Sequence, residues 1–455
     1  MSKYTLLLYV LLFFHKINAQ TKPNIIFILT DDLGYSDLGC YGNPFNETKY
    51  IDSLAKGGLR FTQAYAASTV CSPSRAAIMT GKHPARLKLT NYLVGERKDS
   101  LSPVNPPNWQ RFLPNAEITM AERLNDLGYQ TGMVGKWHLG WGKEQMPWVQ
   151  GFDYNRMIDK NGLDYYNYSI ISNGGKTVFQ DKGTDYLTDK LSDYALEFIE
   201  KRQKEQPFFL YLCYSAPHVL LVPRADKLGK YFWKTEKFGE KYNTNYAAMI
   251  ESVDDGVGRI LKTLTEQGLL ENTLIVFTSD NGHVGLPELG PTPAHSDILR
   301  KWKGHVYEGG IRIPAIWFWK GKIQPSVTPQ YFCHTDYVPT FLDILGQKTD
   351  ISPDGKSIWQ VTQNPEKALD RGALYWHYPH FSNQGGKPYG AIRLGDWKLV
   401  ESYETNKVEL YNLANDLAEK VDLSKKNKAK TKELYDSLIL WRKEVEANMP
   451  IRKKG

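Results

Sequence analysis

Two short acidic clusters, Asp31-Asp32 and Asp280-Asn281, offer three carboxylates and one amide oxygen. Hard oxygen donors of this kind suit Ca2+ or Mg2+ and not zinc. A lone Asp-Asp pair would read as a turn or a helix cap. Here each cluster follows an apolar run, and the pair of clusters reads as a ligand set. Other reactive side chains stand in similar places. Cys71 opens Cys71-Ser72-Pro73-Ser74-Arg75. Lys136 and His138 lie in Gly135-Lys136-Trp137-His138-Leu139-Gly140. His218 ends Ala216-Pro217-His218. Lys303, with Lys301 as a nearby rival, precedes Tyr307-Glu308-Gly309-Gly310-Ile311-Arg312-Ile313-Pro314. A helix starting near Ser74 would turn its N-terminus toward Cys71, and such an end binds anions and favours developing negative charge.

The elements that must position these groups are visible as alternating patterns. Continuous apolar runs at 24–29, 132–134, 208–212, 274–277 and 315–318 predict strands buried on both faces. Ile118, Ala121, Leu124 and Leu127 recur at helical spacing and stop at Gly128. Tyr246, Met249, Ile250, Val253, Val257, Ile260, Leu261 and Leu264 mark a longer helix ending near Gly268. The expected fold class is α/β, a large mainly parallel sheet flanked by helices, whose ligands gather at the carboxyl ends of the strands. After about residue 350 the pattern changes. Short strands at 373–377, 390–393, 397–400 and 408–411, then a helix over 428–449, predict a small antiparallel sheet with a closing helix. The expected division is a leader at 1–19, a catalytic unit at 20–350 and a C-terminal unit at 351–455.

Cys-x-Pro-x-Arg, Gly-Lys-Trp-His and the block at 307–314 together resemble the type I sulfatases, of the alkaline-phosphatase-like superfamily, across most of the chain. The resemblance implies that Cys71 is converted before folding, by a formylglycine-generating or anaerobic maturating enzyme, into formylglycine. It implies Asp31, Asp32, Asp280 and Asn281 as metal ligands together with residue 71, and it favours Ca2+. Arg75 would hold the modified side chain. Lys136 and Lys303 would bind sulfate, His218 would protonate the leaving oxygen, and His138 would take the proton that releases the covalent sulfate. An ordinary serine at position 71 lacks the second hydroxyl of the aldehyde hydrate and would stay trapped as its sulfate ester.

Composition narrows the setting. The chain has 455 residues, 41% hydrophobic and 24% charged, as expected of a globular protein with a sizeable core. Its formal charge of +7 comes without a dense basic run, so no nucleic-acid partner is expected. A basic start at Lys3, an apolar run over 4–14 and a small residue at Ala19 read as an export signal, too short to span a bilayer. No cysteine follows that run and no membrane anchor is expected, which predicts a periplasmic or secreted protein. Of four cysteines, Cys40, Cys71, Cys213 and Cys333, conversion of Cys71 leaves at most one disulfide pair, and Cys213 sits in an apolar run that suits a buried thiol.

The 28 Tyr and 12 Trp residues are abundant enough to stack on sugar rings. The expected substrate is a sulfated carbohydrate: an exo-acting enzyme trimming oligosaccharides from an algal polysaccharide such as ulvan or carrageenan, or from a glycosaminoglycan. Candidate sugar contacts are the segment 375–380 and Tyr165, Tyr166, His295 and His305. The alternatives are a phosphonate or phosphodiester hydrolase of the same superfamily, and a non-catalytic glycan-binding relative.

Overall fold

A computed structural model describes residues 22–95, 97–159, 164–239, 241–285, 298–348 and 354–453. The expected leader and His295 lie outside the described residues. Sixteen strands occur in chain order among them. These are β1 (Asn24–Thr30), β2 (Leu59–Tyr65), β3 (Val104–Asn105), β4 (Gln130–Gly135), β5 (Tyr154–Ile158), β6 (Ser169–Ile171), β7 (Thr177–Gln180) and β8 (Phe208–Cys213). They continue with β9 (Thr273–Ser279), β10 (Arg312–Phe318), β11 (Ser326–Cys333), β12 (Leu374–Tyr378), β13 (Tyr389–Leu394), β14 (Trp397–Ser402), β15 (Val408–Asn412) and β16 (Ile451–Arg452). The α-helices are α1 (Lys49–Gly57), α2 (Cys71–Thr80), α3 (Met120–Asp126), α4 (Leu187–Lys201) and α5 (Ala225–Phe238). The remainder are α6 (Thr244–Glu266), α7 (Glu308–Ile311), α8 (Tyr337–Ile344), α9 (Trp359–Gln363) and α10 (Lys428–Glu444).

Ten strands form one sheet in the order β11-β2-β10-β9-β1-β8-β4-β5-β6-β7. Its centre, from β9 through β1, β8 and β4 to β5, is parallel. Every residue of β1, β8 and β9 is buried, which is why these strands read as unbroken apolar runs. Alternation then sends Ile25, Phe27 and Leu29 into one core with α2, α3 and α8, and Ile26 and Ile28 into another with α1, α4 and α6. Strand β10 runs against both of its neighbours, β9 and β2. The segment preceding β10 therefore reaches the same edge of the sheet as the carboxyl ends of β1, β9, β8 and β4.

Local chemistry moves several expected boundaries. Helix α3 begins after Thr119, whose hydroxyl accepts from Glu122 N while Glu122 closes a reciprocal capping box. Ile118 thus precedes the helix and is half exposed. Helix α2 begins at Cys71 itself and not near Ser74. Pro73 is tolerated in the first turn, where an N–H has no intrahelical partner. Helix α10 stops at Glu444, before the expected 449; Glu446 already has φ +50°.

The C-terminal sheet β12-β13-β14-β15 is antiparallel, and α10 packs on it through Leu434, Leu438 and Trp441. This unit is joined to the main sheet by buried ions. Lys398 on β14 sits 2.9 Å from Glu308 and 2.8 Å from Glu419, with all three side chains fully buried. Trp376 donates from its ring to the Ala66 carbonyl. All four cysteines are free, within the limit of at most one pair. No helix among the described residues is long and apolar enough to cross a membrane.

Candidate active site

The parallel strands deliver their ends to one cleft. β1 leads into Asp31 and Asp32, and β9 into Asp280 and Asn281; all four are fully buried. Asp32 has φ +66°, a left-handed conformation uncommon outside glycine and often found where function holds a residue in place. β4 ends at Gly135, φ +106°, where a Cβ would stand 1.9 Å from the Cys213 carbonyl of β8. Only glycine lets the chain turn here, and the turn sends Lys136 and His138 toward the acidic cluster. Gly282 has the same necessity, because a Cβ would meet Gly309 O at 1.9 Å. That close approach packs the β9 loop on the segment before β10, which carries Lys303.

The charges interlock. Arg75, one turn into α2 and fully buried, donates to Asp280 from Nε at 2.9 Å, approaches it from a terminal nitrogen at 2.8 Å, and donates to the Lys136 carbonyl at 2.7 Å. Lys136 Nζ contacts Asp31 Oδ2. Lys303 Nζ lies 2.7 Å from Asp32 Oδ1, and Asn281 donates to that same oxygen at 2.7 Å. Lys301, the sequence rival, is exposed and lies over the Trp302 ring, so the structure brings Lys303 to the cluster and leaves Lys301 outside.

Burial pushes Asp31 up, but Lys136, His218, Arg75 and Lys303 together hold its carboxyl well below the usual range. Burial would also discharge Lys303, yet Asp32 and its acidic neighbours keep it high and charged. The two histidines separate. Burial, Lys136 and Arg75 hold His138 well below its ordinary value, so it is neutral and able to accept a proton. Burial and Lys303 lower His218 as well, but Asp31 and Asp32 oppose that shift and its Nε2 stands 3.6 Å from Asp32. Burial raises the Cys71 thiol despite Lys136 and Lys303, with Asp31 and Asp280 adding to the rise. An unconverted thiol here is therefore a poor nucleophile.

The donor set fits a hard divalent cation. Single atoms of Asp31, Cys71 and Asp280 lie within 4.8 Å of one another, as do those of Asp31, Asp32 and His218. No described residue donates to Asp31 Oδ1 or Asn281 Oδ1, both buried. Orphaned buried acceptors are costly unless a cation or water meets them.

Around this floor is a cleft of about 550 Å³. Beyond the reacting groups it is lined by Tyr92, Val94, Trp141, Leu220, Asn383 and Gln384, none of which the sequence patterns single out. Trp141 lies three residues after His138, and that proximity is the one signal that could have found it. The expected sugar contacts fare differently. Tyr375 stacks on Trp441, His377 lies between Tyr403 and Asn448, and His380 pairs with Thr90. The segment 375–380 is thus core, and the C-terminal unit lines the cleft a few residues later. His305 is buried against its own turn, and Tyr166 lines a separate groove with Asp189 and Arg224. Tyr165 is buried behind the cleft.

Comparison with known proteins gives a consistent neighbourhood. Residues 23–347 match the sulfatase family model, and 301–444 match the model of the N-sulphoglucosamine sulphohydrolase C-terminal region. A sulfatase from Formosa agariphila is 33% identical, covering 90% of this chain and 86% of its own. An N-acetylgalactosamine-6-O-sulfatase from Bacteroides thetaiotaomicron is 30% identical over 92% of this chain and 93% of its own. The crystal structure of Ps i-CgsB in complex with k-i-k-neocarrahexaose superposes with a TM-score of 0.78 at 31% identity, covering 92% of this chain and 93% of that one.

Proposed function

The chain belongs to the sulfatase family and is a sulfuric ester hydrolase, and from that premise we propose that it desulfates carbohydrates, with formylglycine at position 71 and Ca2+ or Mg2+ between Asp31, Asp32, Asp280 and Asn281. When present, the cation supplies Lewis acidity and the hydrated aldehyde supplies an attacking oxygen and a second hydroxyl. The chain's own residues do the rest. Lys136 and Lys303 bind sulfate oxygens and neutralise the charge that three carboxylates would otherwise repel. Arg75 fixes Asp280 and the turn at Lys136, and holds residue 71. His218, in its imidazolium form favoured by Asp31 and Asp32, donates a proton from Nε2 to the departing sugar oxygen, and neutral His138 accepts one from residue 71. Burial of the floor excludes bulk water and strengthens each of these contacts.

The observation that carries this reading is that five of the ten side chains, Cys71, Lys136, His138, His218 and Lys303, line one cleft above the buried Asp31, Asp32, Arg75, Asp280 and Asn281, with two buried oxygens left for a cation. A cleft of about 550 Å³ suits one or two sugar rings, which supports exo-acting release from an oligosaccharide. The complex of Ps i-CgsB with k-i-k-neocarrahexaose and the relative named N-acetylgalactosamine-6-O-sulfatase support the carbohydrate class. The apolar start of the sequence supports export to the periplasm or medium.

The test is sulfate release from a panel of defined sulfated saccharides, run beside matched phosphate esters. Release of sulfate from at least one saccharide is expected. A higher specific activity on phosphate would defeat the reading. For the metal, Asp280→Ala is expected to lower cation content at least about tenfold in metal analysis of the purified protein, since one charged ligand is lost. Unchanged content would show that the cation sits elsewhere.

A further inference from the structure

We infer that Tyr165 is a positioning residue for His218. The inference rests on the reading of His218 as the proton donor. His218 lies in the irregular stretch between β8 and α5, where no strand ladder holds the backbone. The turn is closed by His218 N donating to the Ser215 carbonyl at 2.9 Å. The Tyr165 hydroxyl lies 3.0 Å from that same Ser215 carbonyl and 2.9 Å from the His218 carbonyl. One phenolic proton is thus shared by the two carbonyls that bracket the turn. Tyr165 is 1% exposed and lines no part of the cleft, so its hydroxyl serves the turn and not a ligand. Its ring is held in turn by Tyr186, stacked at 5.7 Å between centroids. Tyr186 donates to the Val222 carbonyl at 3.1 Å, and Asn245 donates to the Leu221 carbonyl at 3.1 Å. These three side chains tie the backbone of the stretch down, and of the three only Tyr165 bonds the His218 carbonyl.

The ring orientation follows from the backbone. His218 Nδ1 sits against the Val219 carbonyl, which leaves Nε2 facing Asp32 and the cleft. A shift of the His218 carbonyl would carry the Val219 peptide and the imidazole with it. Proton transfer depends on the donor lying within hydrogen-bond reach of the leaving oxygen, and a misplacement of about 1 Å can cost about a hundredfold.

Tyr165→Phe keeps the stacked ring and removes only the hydroxyl. A sugar or simple alkyl sulfate leaves as a basic alkoxide and needs the proton; para-nitrophenyl sulfate leaves as a stable phenolate and does not. In the variant, kcat on the alkyl or sugar sulfate is expected to fall at least about tenfold with KM little changed, while kcat on para-nitrophenyl sulfate stays within about twofold. An equal fall on both substrates, or no change on either, overturns the inference. A second readout needs no turnover. The imidazole nitrogen signals of His218 in NMR spectra are expected to shift in the variant, and His218 signals that stay put overturn it as well. Failure of the wild type on every carbohydrate sulfate would instead count against the proposed substrate class, and the alkyl sulfate and NMR arms would still judge Tyr165.

Discussion

Replacing Cys71 with alanine is expected to remove sulfate release by a factor on the order of 10^6, the scale of losing a covalent nucleophile. The fold should survive. Cys71 is the first residue of α2, only 2% exposed, and alanine is shorter by one sulfur and a better helix former. The cavity left behind costs about 1 kcal/mol, small against a stable domain. Arg75, Lys136 and Lys303 keep their partners Asp280, Asp31 and Asp32, because none of those contacts runs through the cysteine. Initial rates on para-nitrophenyl sulfate, read beside the thermal unfolding midpoint, check both halves. Retained turnover would refute the assignment of residue 71. Mass spectrometry of the peptide spanning residues 71–75 should find the aldehyde in an active preparation, and an intact thiol in fully active protein would do the same damage.

Lys398→Ala is expected to destabilise the protein by about 3–5 kcal/mol, the range for breaking a buried ion pair and leaving its partners uncompensated. Here two carboxylates, Glu308 and Glu419, would lose their shared cation in full burial, leaving Glu308 with Arg312 at 3.2 Å and the Tyr65 hydroxyl at 2.7 Å, and Glu419 with the Glu308 backbone N–H at 2.7 Å. Urea unfolding, compared by midpoint at constant slope, measures the loss. The deficit has a predictable pH dependence. Burial already pushes Glu419 up to about 7, with Glu308 adding to the rise against Lys398. A carboxyl raised in the folded state binds its proton more tightly there than in the unfolded chain, so folding gains stability as pH falls. Without Lys398 that rise is larger and Glu308, which Lys398 holds down at about 2, rises as well, so the deficit should narrow as pH drops from above 7 through the ordinary carboxylate range. A variant equally stable at all pH values would show that the network contributes little to holding the two units together.

Much of this molecule is legible in its sequence. β1, β8 and β9 are covered by helices on both faces, so burial writes itself as continuous apolar sequence. Residues directly after such strands must emerge at one edge, which is how Asp31, Asp280, Lys136 and His218 could be grouped. The small C-terminal sheet and the ends of α6 were readable for similar reasons. Lys303 was a harder case. It precedes its strand, and only the reversed direction of β10, set by pairing with β9 and β2, brings it to the same edge. Helix α2 starts three residues earlier than Ser74, because the first helical turn has no use for the N–H that Pro73 lacks. The aromatic run at 375–380 looked like a sugar platform. Composition cannot tell an aromatic surface from an aromatic core, and here Trp376 and Tyr378 face the inter-unit packing. Tyr165 acts through a hydroxyl on two carbonyls, a contact with no periodicity to betray it.

The stretch bearing Lys303 is gripped from both sides. Lys303 N donates to the His283 carbonyl and Gly304 N to Thr69, while the Trp302 ring donates to the Gln384 carbonyl. A Cβ on Gly386 would lie 1.8 Å from the Gly304 carbonyl, so the two backbones touch with no side chain between them. A protease nick that freed everything beyond α8 would leave Asp31, Asp32 and Asp280 on the larger fragment and still strip the lysine's stretch of its contacts with Gln384 and Gly386. The C-terminal unit is thus part of what holds this lysine in place.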